Sequence, residues 1–139
     1  MQSFSHELEQ LMTATALITD PVIACDGCGQ MVFANFAAKT LFGEIDMEKN
    51  SMDDCPEALG LFDCHGERML DPQELPLAQA AYEGKTVRVN LLVRQQQAIS
   101  PVEATAFPIR DRDGRQIGAM MICRNLNALF EPARVTHLA

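Results

Sequence analysis

Cys25 and Cys28 stand in a C-x-x-C spacing, the arrangement in which two thiolates share a zinc ion or cycle between dithiol and disulfide. A structural zinc site needs four ligands. The remaining candidates, Cys55, Cys64 and His65, show no second paired spacing. A redox pair gains its reactivity from a helix N-terminus or a neighbouring cation that lowers a thiol pKa. Here the pair falls in a turn, Asp26-Gly27-Cys28-Gly29, rather than at a helix start. The simpler reading is a buried strand cysteine with a chance neighbour, and no metal site is expected. His65, between Cys64 and Gly66, reads as an exposed turn residue, and His6 and His137 lie near the chain ends. There is no G-x-S-x-G, no phosphate-binding glycine loop and no H-E-x-x-H. The adjacent acids Asp53 and Asp54 read as a solvated turn. The expectation is a protein without catalytic residues, not an enzyme.

The elements around these residues follow from periodicity. Val22 to Cys25 and Gln30 to Ala34 are β-prone runs either side of the turn, which makes a hairpin. The period then changes to that of a short helix, with Asn35 as N-cap, Phe36 to Phe42 as body and Gly43 as stop. Upstream, Phe4, Leu8, Leu11, Met12, Thr15 and Ile18 recur at steps of three and four, one face of a helix that Asp20-Pro21 ends. That stripe packs on its own domain or against a second copy, and both readings stay open. Glu44 to Gly60 is acidic and weakly periodic, and reads as short helical turns broken around Pro56. Leu61 to Leu70, with His65-Gly66 at its turn, suits a small extra hairpin.

Asp71-Pro72-Gln73-Glu74 has capping-box spacing, and a helix from Pro76 to Glu83 with Gly84 as its stop avoids a proline inside a helix. Three strands close the chain. Thr86 to Arg94 alternates, with Val87, Val89, Leu91 and Val93 on one face. Pro101 to Arg110 and Arg115 to Arg124 flank an Asp-Gly turn. The last strand is apolar on both faces, with Ile117, Ala119, Met121 and Cys123 on one and Gly118, Met120 and Ile122 on the other. Such a strand is covered on both sides. Two strands, several short helices and three strands make an α+β domain with one antiparallel sheet.

The segment from Val22 to Gly43 resembles the opening of a PAS domain, with Asp26, Gly29, Asn35 and Gly43 at the family's positions. ELPLAQAAYEGK resembles the helix that precedes the last three strands of such domains. The resemblance spans roughly Thr13 to Phe130 and implies a five-stranded antiparallel sheet with short helices on one face, here preceded by an N-terminal amphipathic helix. The domain division is then 1–20 for that helix, 21–126 for the sensory domain and 127–139 for a linker or the start of an output helix. The family encloses a pocket between helices and sheet, which Phe33, Asn35, Leu41, Phe42, Leu77, Phe107 and Met121 would line. Haem-binding members carry a helical histidine that this chain lacks, and Cys55 in Asp54-Cys55-Pro56 does not match the Asn-Cys-Arg of flavin photosensors. No cofactor is therefore expected, neither haem nor covalent flavin, and an unknown small-molecule ligand stays open. Arg124, Asn125, Leu126 and Asn127 stand where the family couples sheet to output, often as Asp-Ile-Thr. The stripe of Phe4, Leu8, Leu11 and Met12 is the expected homodimer interface.

The 139 residues suffice for one domain. The net charge of −8, from 11 basic and 19 acidic residues, repels phosphate backbones and anionic lipid. Neither nucleic acid nor membrane is expected as a partner. Five cysteines at irregular spacing, without a signal peptide or a long apolar run, point to reduced thiols in the cytoplasm. Eight methionines and seven phenylalanines suit either a plastic core or a pocket for a planar ligand. The leading expectation is a bacterial PAS sensory module in signal transduction, of the two-component or transcription-regulating kind. Its partner would be an output domain or a protein such as a kinase, cyclase or transcription regulator. The alternatives are a ligand-free dimerisation module and a thiol or zinc redox sensor built on Cys25 and Cys28.

Overall fold

Alternating apolar runs punctuated by Gly, Pro and Asn produce a single antiparallel sheet. A computed structural model describes residues 6–15, 18–43, 55–95 and 98–126. In chain order the elements are α1 (His6–Thr15), β1 (Val22–Asp26), β2 (Met31–Ala34), α2 (Phe36–Phe42), α3 (Cys55–Leu59) and β3 (Leu61–Phe62). A 3₁₀ turn (Pro72–Glu74), α4 (Pro76–Glu83), β4 (Val87–Gln95), β5 (Ala98–Arg110) and β6 (Gln116–Asn125) follow. Among the described residues the sheet has six strands, in the order β2-β1-β6-β5-β4-β3. The sixth, beyond the five expected, is the small hairpin at Leu61 to Leu70. Phe62 bridges Met69, and Leu61 pairs with Val93 of β4, so the hairpin extends the sheet at its β4 edge. The expected turns of residues 44–54, and all that concerns Phe4 and residues 127–139, lie outside the described residues.

The two faces of the sheet carry separate cores. On the face of α2 and α4, Ile23, Cys25, Phe42, Leu77, Leu91, Val93, Val102, Met121 and Cys123 are buried together. β5 presents only Val102, Ala104 and Ala106 there, so the helix backbones approach the sheet closely. On the other face Leu8 of α1 is 1% exposed and packs with Val22, Ala24, Ile109 and Met120, flanked by Leu11 and Met12. A side chain buried to that degree contributes about 1.5–3 kcal/mol. Leu8, Leu11 and Met12 of the helix stripe therefore rest on their own sheet. Ile18, expected within that helix, lies beyond it, outside any helix or strand, and is 40% exposed.

Two bulges reset the alternation. Cys25 pairs with Met31 but Ala24 with Phe33, leaving Val32 as an extra residue in β2. Ile109 pairs with Gly118 but Arg110 with Gln116, leaving Ile117 extra in β6. An inserted residue reverses the faces beyond it. Phe33 and Ile117 thus turn to the α1 side. Gln116 turns to the helix side, where its Nε2 donates to the Ala80 and Ala81 carbonyls at 3.1 and 2.7 Å and caps the end of α4.

Candidate functional site

The chain enters and leaves the sheet at one end. Val22 of β1 pairs with Ile122 of β6, and the Cys123 amide donates to the Pro21 carbonyl at 2.9 Å. At this end lies a cleft of about 940 Å³. Its first wall is the linker Ile18, Thr19, Asp20 and Pro21. Its second is α2, through Phe36, Ala37, Thr40 and Leu41, with Gly43 at the end. Gln95 and Ala98 at the β4–β5 corner, with Ser100 of β5 and Asn125 of β6, complete it.

Asn35 joins the first two walls. It is 3% exposed. Its Nδ2 donates to the carbonyls of Ile18 at 3.1 Å and Asp20 at 2.9 Å. Its Oδ1 accepts from the amides of Val22 at 3.0 Å and Ala38 at 2.9 Å. The Ala38 bond is an N-cap, satisfying a donor that the first turn of a helix leaves orphaned. The other bonds fix the linker and the start of β1 against that helix. One buried amide therefore holds these two walls together.

The lining mixes apolar surface from Ile18, Pro21, Phe36, Ala37, Leu41 and Ala98 with hydrogen-bonding groups from Thr19, Gln95, Ser100 and Asn125. Among the described lining residues Asp20 is the one ionisable side chain. Burial, with the Asp20 carboxylate adding to it, pushes the neighbouring Cys123 thiol up to about 12. A thiol so shifted stays protonated near neutral pH and is a poor nucleophile. Phe36, also a lining residue, is 81% exposed.

The residues singled out for a pocket divide between three places. Phe42, Leu77 and Met121 pack into the helix-side core at 1% exposure or less. Leu41 lines the cleft and Asn35 lies beneath it. Phe33 and Phe107 are not on the helix side at all: they join the α1-side core. The β2 bulge turns Phe33 there, and Phe107 follows from its place opposite Met120, one step beyond the inward Ala106. Of the coupling residues, Asn125 lines the cleft and Leu126 follows it, half-buried. Arg124 is ion-paired to Glu103 at 3.0 Å across the β5–β6 ladder, and Asn127 lies outside the described residues. Of the dimer residues, Leu8, Leu11 and Met12 face their own sheet. Cys25 is buried in β1 and Cys28 exposed in the turn, where its amide donates to Asp26 Oδ1 at 2.9 Å. Among the described residues no three His, Cys, Asp or Glu side chains gather as a metal site.

Sequence reasoning missed the linker 18–21 and the β4–β5 corner as parts of a site. Their one signal is Asn35, an N-cap with two donors that the cap itself leaves unused.

A family model described as the PAS fold matches residues 16–129. No curated protein matches the chain. The PAS domain of BvgS from Bordetella pertussis superposes with a TM-score of 0.57 at 18% identity, over 95% of this chain and 96% of that one. The PAS domain of nitrogen regulation protein NR(II) from Vibrio parahaemolyticus does so at 0.54 and 17%, over 83% and 96%. The ligand- and DNA-bound VqmA of Vibrio cholera gives 0.58 at 20% identity, over 88% of this chain but 52% of VqmA. At such identities the likeness is one of fold. The family match covers most of the sequence, including the hairpin, Asn35 and all three closing strands, and the chain belongs to the PAS family.

Proposed function

We propose that the chain is a signal-sensing module, without catalytic activity, haem or flavin of its own. It responds to a small ligand or a partner and passes its state to an output domain or partner protein, such as a kinase, cyclase or transcription regulator. The observation that carries this reading is the pairing of Val22 with Ile122, which brings the two flanks of the domain side by side next to a cleft. Whatever alters the cleft alters both flanks at once, and a two-state packing at that point suffices to shift a population. Family membership supports the reading, as do fold relatives that include a nitrogen regulation protein and a ligand- and DNA-bound receptor.

A second reading, homodimerisation, draws on the α1 side. A helix of 10 residues is about 15 Å long. Phe33, Phe107, Ile117 and Ile122 remain partly exposed beside it. A two-fold contact would cover them.

Native mass spectrometry of freshly purified full chain tests these readings together. The sensing reading expects a mass excess of an organic molecule that leaves on unfolding. A bare chain that is dimeric throughout would favour the dimerisation module. A zinc excess, lost on replacing Cys25 and Cys28 by Ser, would favour the thiol reading.

A further inference from the structure

We infer that a second copy of the chain adds to the open edge of β4, antiparallel and with the two-fold axis at Val89, so that one sheet runs through both copies. This contact is separate from the cleft and from the α1 side and rests on neither.

The open edge follows from register. β5 pairs with β4 along its whole length, Val87 to Gln95. On the other side β3 pairs only with Leu92 and Val93, and the Arg94 amide donates to the Gly60 carbonyl at 2.7 Å. Main-chain groups alternate in direction along a strand. Those of Arg88 and Asn90 therefore point, like those of Arg94, to the side of β3. Among the described residues nothing bonds to them there. Arg88 and Asn90 are exposed, and Val89 between them is 37% exposed. The open stretch, from the strand start at Val87 to Leu91, is centred on Val89.

The occupant follows from symmetry. An antiparallel copy about Val89 sets Arg88 opposite Asn90 of the second copy, and Asn90 opposite its Arg88. Each such pair exchanges two N–H···O=C bonds, so the groups left over on one edge are those the other edge requires. A two-fold contact needs only one self-complementary patch of this kind. Leu91 and Val93 lie in the helix-side core, so Val89 shares their face. It would meet Val89 of the second copy in a non-hydrogen-bonded pair, where side chains come closest. Charge agrees. A cation guards an edge when it meets its own kind directly. Arg88 meets Asn90 instead, in a cross-strand row that continues to Glu103. That carboxylate, which also holds Arg124 at 3.0 Å, offsets the approach of the two arginines. Five residues a side, Val87 to Leu91, is well under the about 20–30 of a standard interface, so the dimer forms only at high concentration.

Sedimentation of the full chain from about 10 µM to about 1 mM should show monomer giving way to dimer. Asn90→Pro removes one outward N–H group, at a position where an edge strand accepts proline. It should weaken the dimer by at least about tenfold and leave the far-UV circular dichroism spectrum unchanged. A second pair of variants decides the matter even if that one folds poorly. With Cys28, Cys55 and Cys64 replaced by Ser, Val89→Cys should link the copies in oxidised glutathione, because non-hydrogen-bonded partners lie within the about 4.4–6.8 Å that a disulfide spans between Cα atoms. Val87→Cys in the same background stands opposite Leu91 of the second copy and should not link. Monomer throughout, or equal linking by the two cysteine variants, would overturn the inference. A dimer of unchanged strength in Asn90→Pro would overturn it too and leave the α1 side as the contact.

Discussion

The side-chain amide of Asn35 donates at 2.9 Å to the main-chain carbonyl of Asp20, 15 residues earlier. The same side chain caps α2 through the Ala38 amide. A helix terminus and the segment leading into β1 are therefore held by one residue, and neither can move without breaking or carrying the other. Asn35→Ala would leave the buried Val22 and Ala38 amides unsatisfied and free the linker. The expected loss of stability is about 2–4 kcal/mol, read as a lower midpoint in urea with an unchanged slope. A loss under about 0.5 kcal/mol, the level of an ordinary surface change, would mean that water replaces the amide.

Gly118 and Gly114 should respond differently to alanine. A Cβ on Gly118 would run into the Cys25 carbonyl of the paired strand, which is backbone and cannot step aside. Gly118→Ala should cost about 2–4 kcal/mol through the forced separation of β1 and β6. Gly114 has open space around its Cβ position but a φ of +83°. Gly114→Ala should cost about 1 kcal/mol, the price of a left-handed alanine. Equal costs at the two sites would contradict the strand spacing described above.

Arg68 and Glu74 set an acid-sensitive contact on the surface. Both guanidinium nitrogens reach the carboxylate, Nη1 to Oε1 at 2.7 Å and Nη2 to Oε2 at 2.9 Å. The Arg68 hydrogen bonds, followed by the Asp71 amide, hold the Glu74 carboxyl at about 2 against an ordinary 4.5. Between these values the unfolded chain binds the proton and the folded chain does not. The contribution is therefore complete above pH 4.5 and is lost as pH falls through about 2. Glu74→Gln should flatten the acid limb of the stability profile in that window. Because both side chains are solvent-exposed, the difference between variant and parent should shrink in about 1 M salt. Parallel acid limbs would contradict the pairing.

The thiols should divide by depth. Cys28 and Cys64 are exposed, while Cys25 and Cys123 are buried. At pH 8 an alkylating agent should label the first two in the folded chain and reach the others only in denaturant. Prompt labelling of Cys123 would show that the core beneath the linker opens readily.

Periodicity carried most of the architecture. The hairpin around Gly29, the N-cap at Asn35, the stop at Gly84 and the alternation of β6 from Gly118 to Cys123 all depend on local rules, and these positions read correctly from residue type and spacing. Ile117 does not: it reads with Ala119, but the β6 bulge turns it to the α1 side. The failures lie where one residue changes parity. Nothing in Met31-Val32-Phe33 announces the extra residue, so Phe33 reads as facing the helices. Phe107 was legible in principle. The small Val102, Ala104 and Ala106 mark the close-packed face of β5, which leaves Phe107 for the other. The cleft could not be read, because Ile18, Leu41, Ala98 and Asn125 come together only after the sheet has formed.

The central claim is that Asn35 ties the flanks of the domain to the helix that walls the cleft. Asn35→Ser tests it most directly, since serine still caps a helix but is too short to hold the linker carbonyls. Amide hydrogen exchange should then accelerate by about tenfold or more at Val22, which donates to Asn35, and at Cys123, which donates to the linker carbonyl of Pro21. The amides of Lys39 and Gly43, held within α2, should keep their rates. Unchanged exchange at Val22 and Cys123, or loss of protection in α2 alone, would contradict the account.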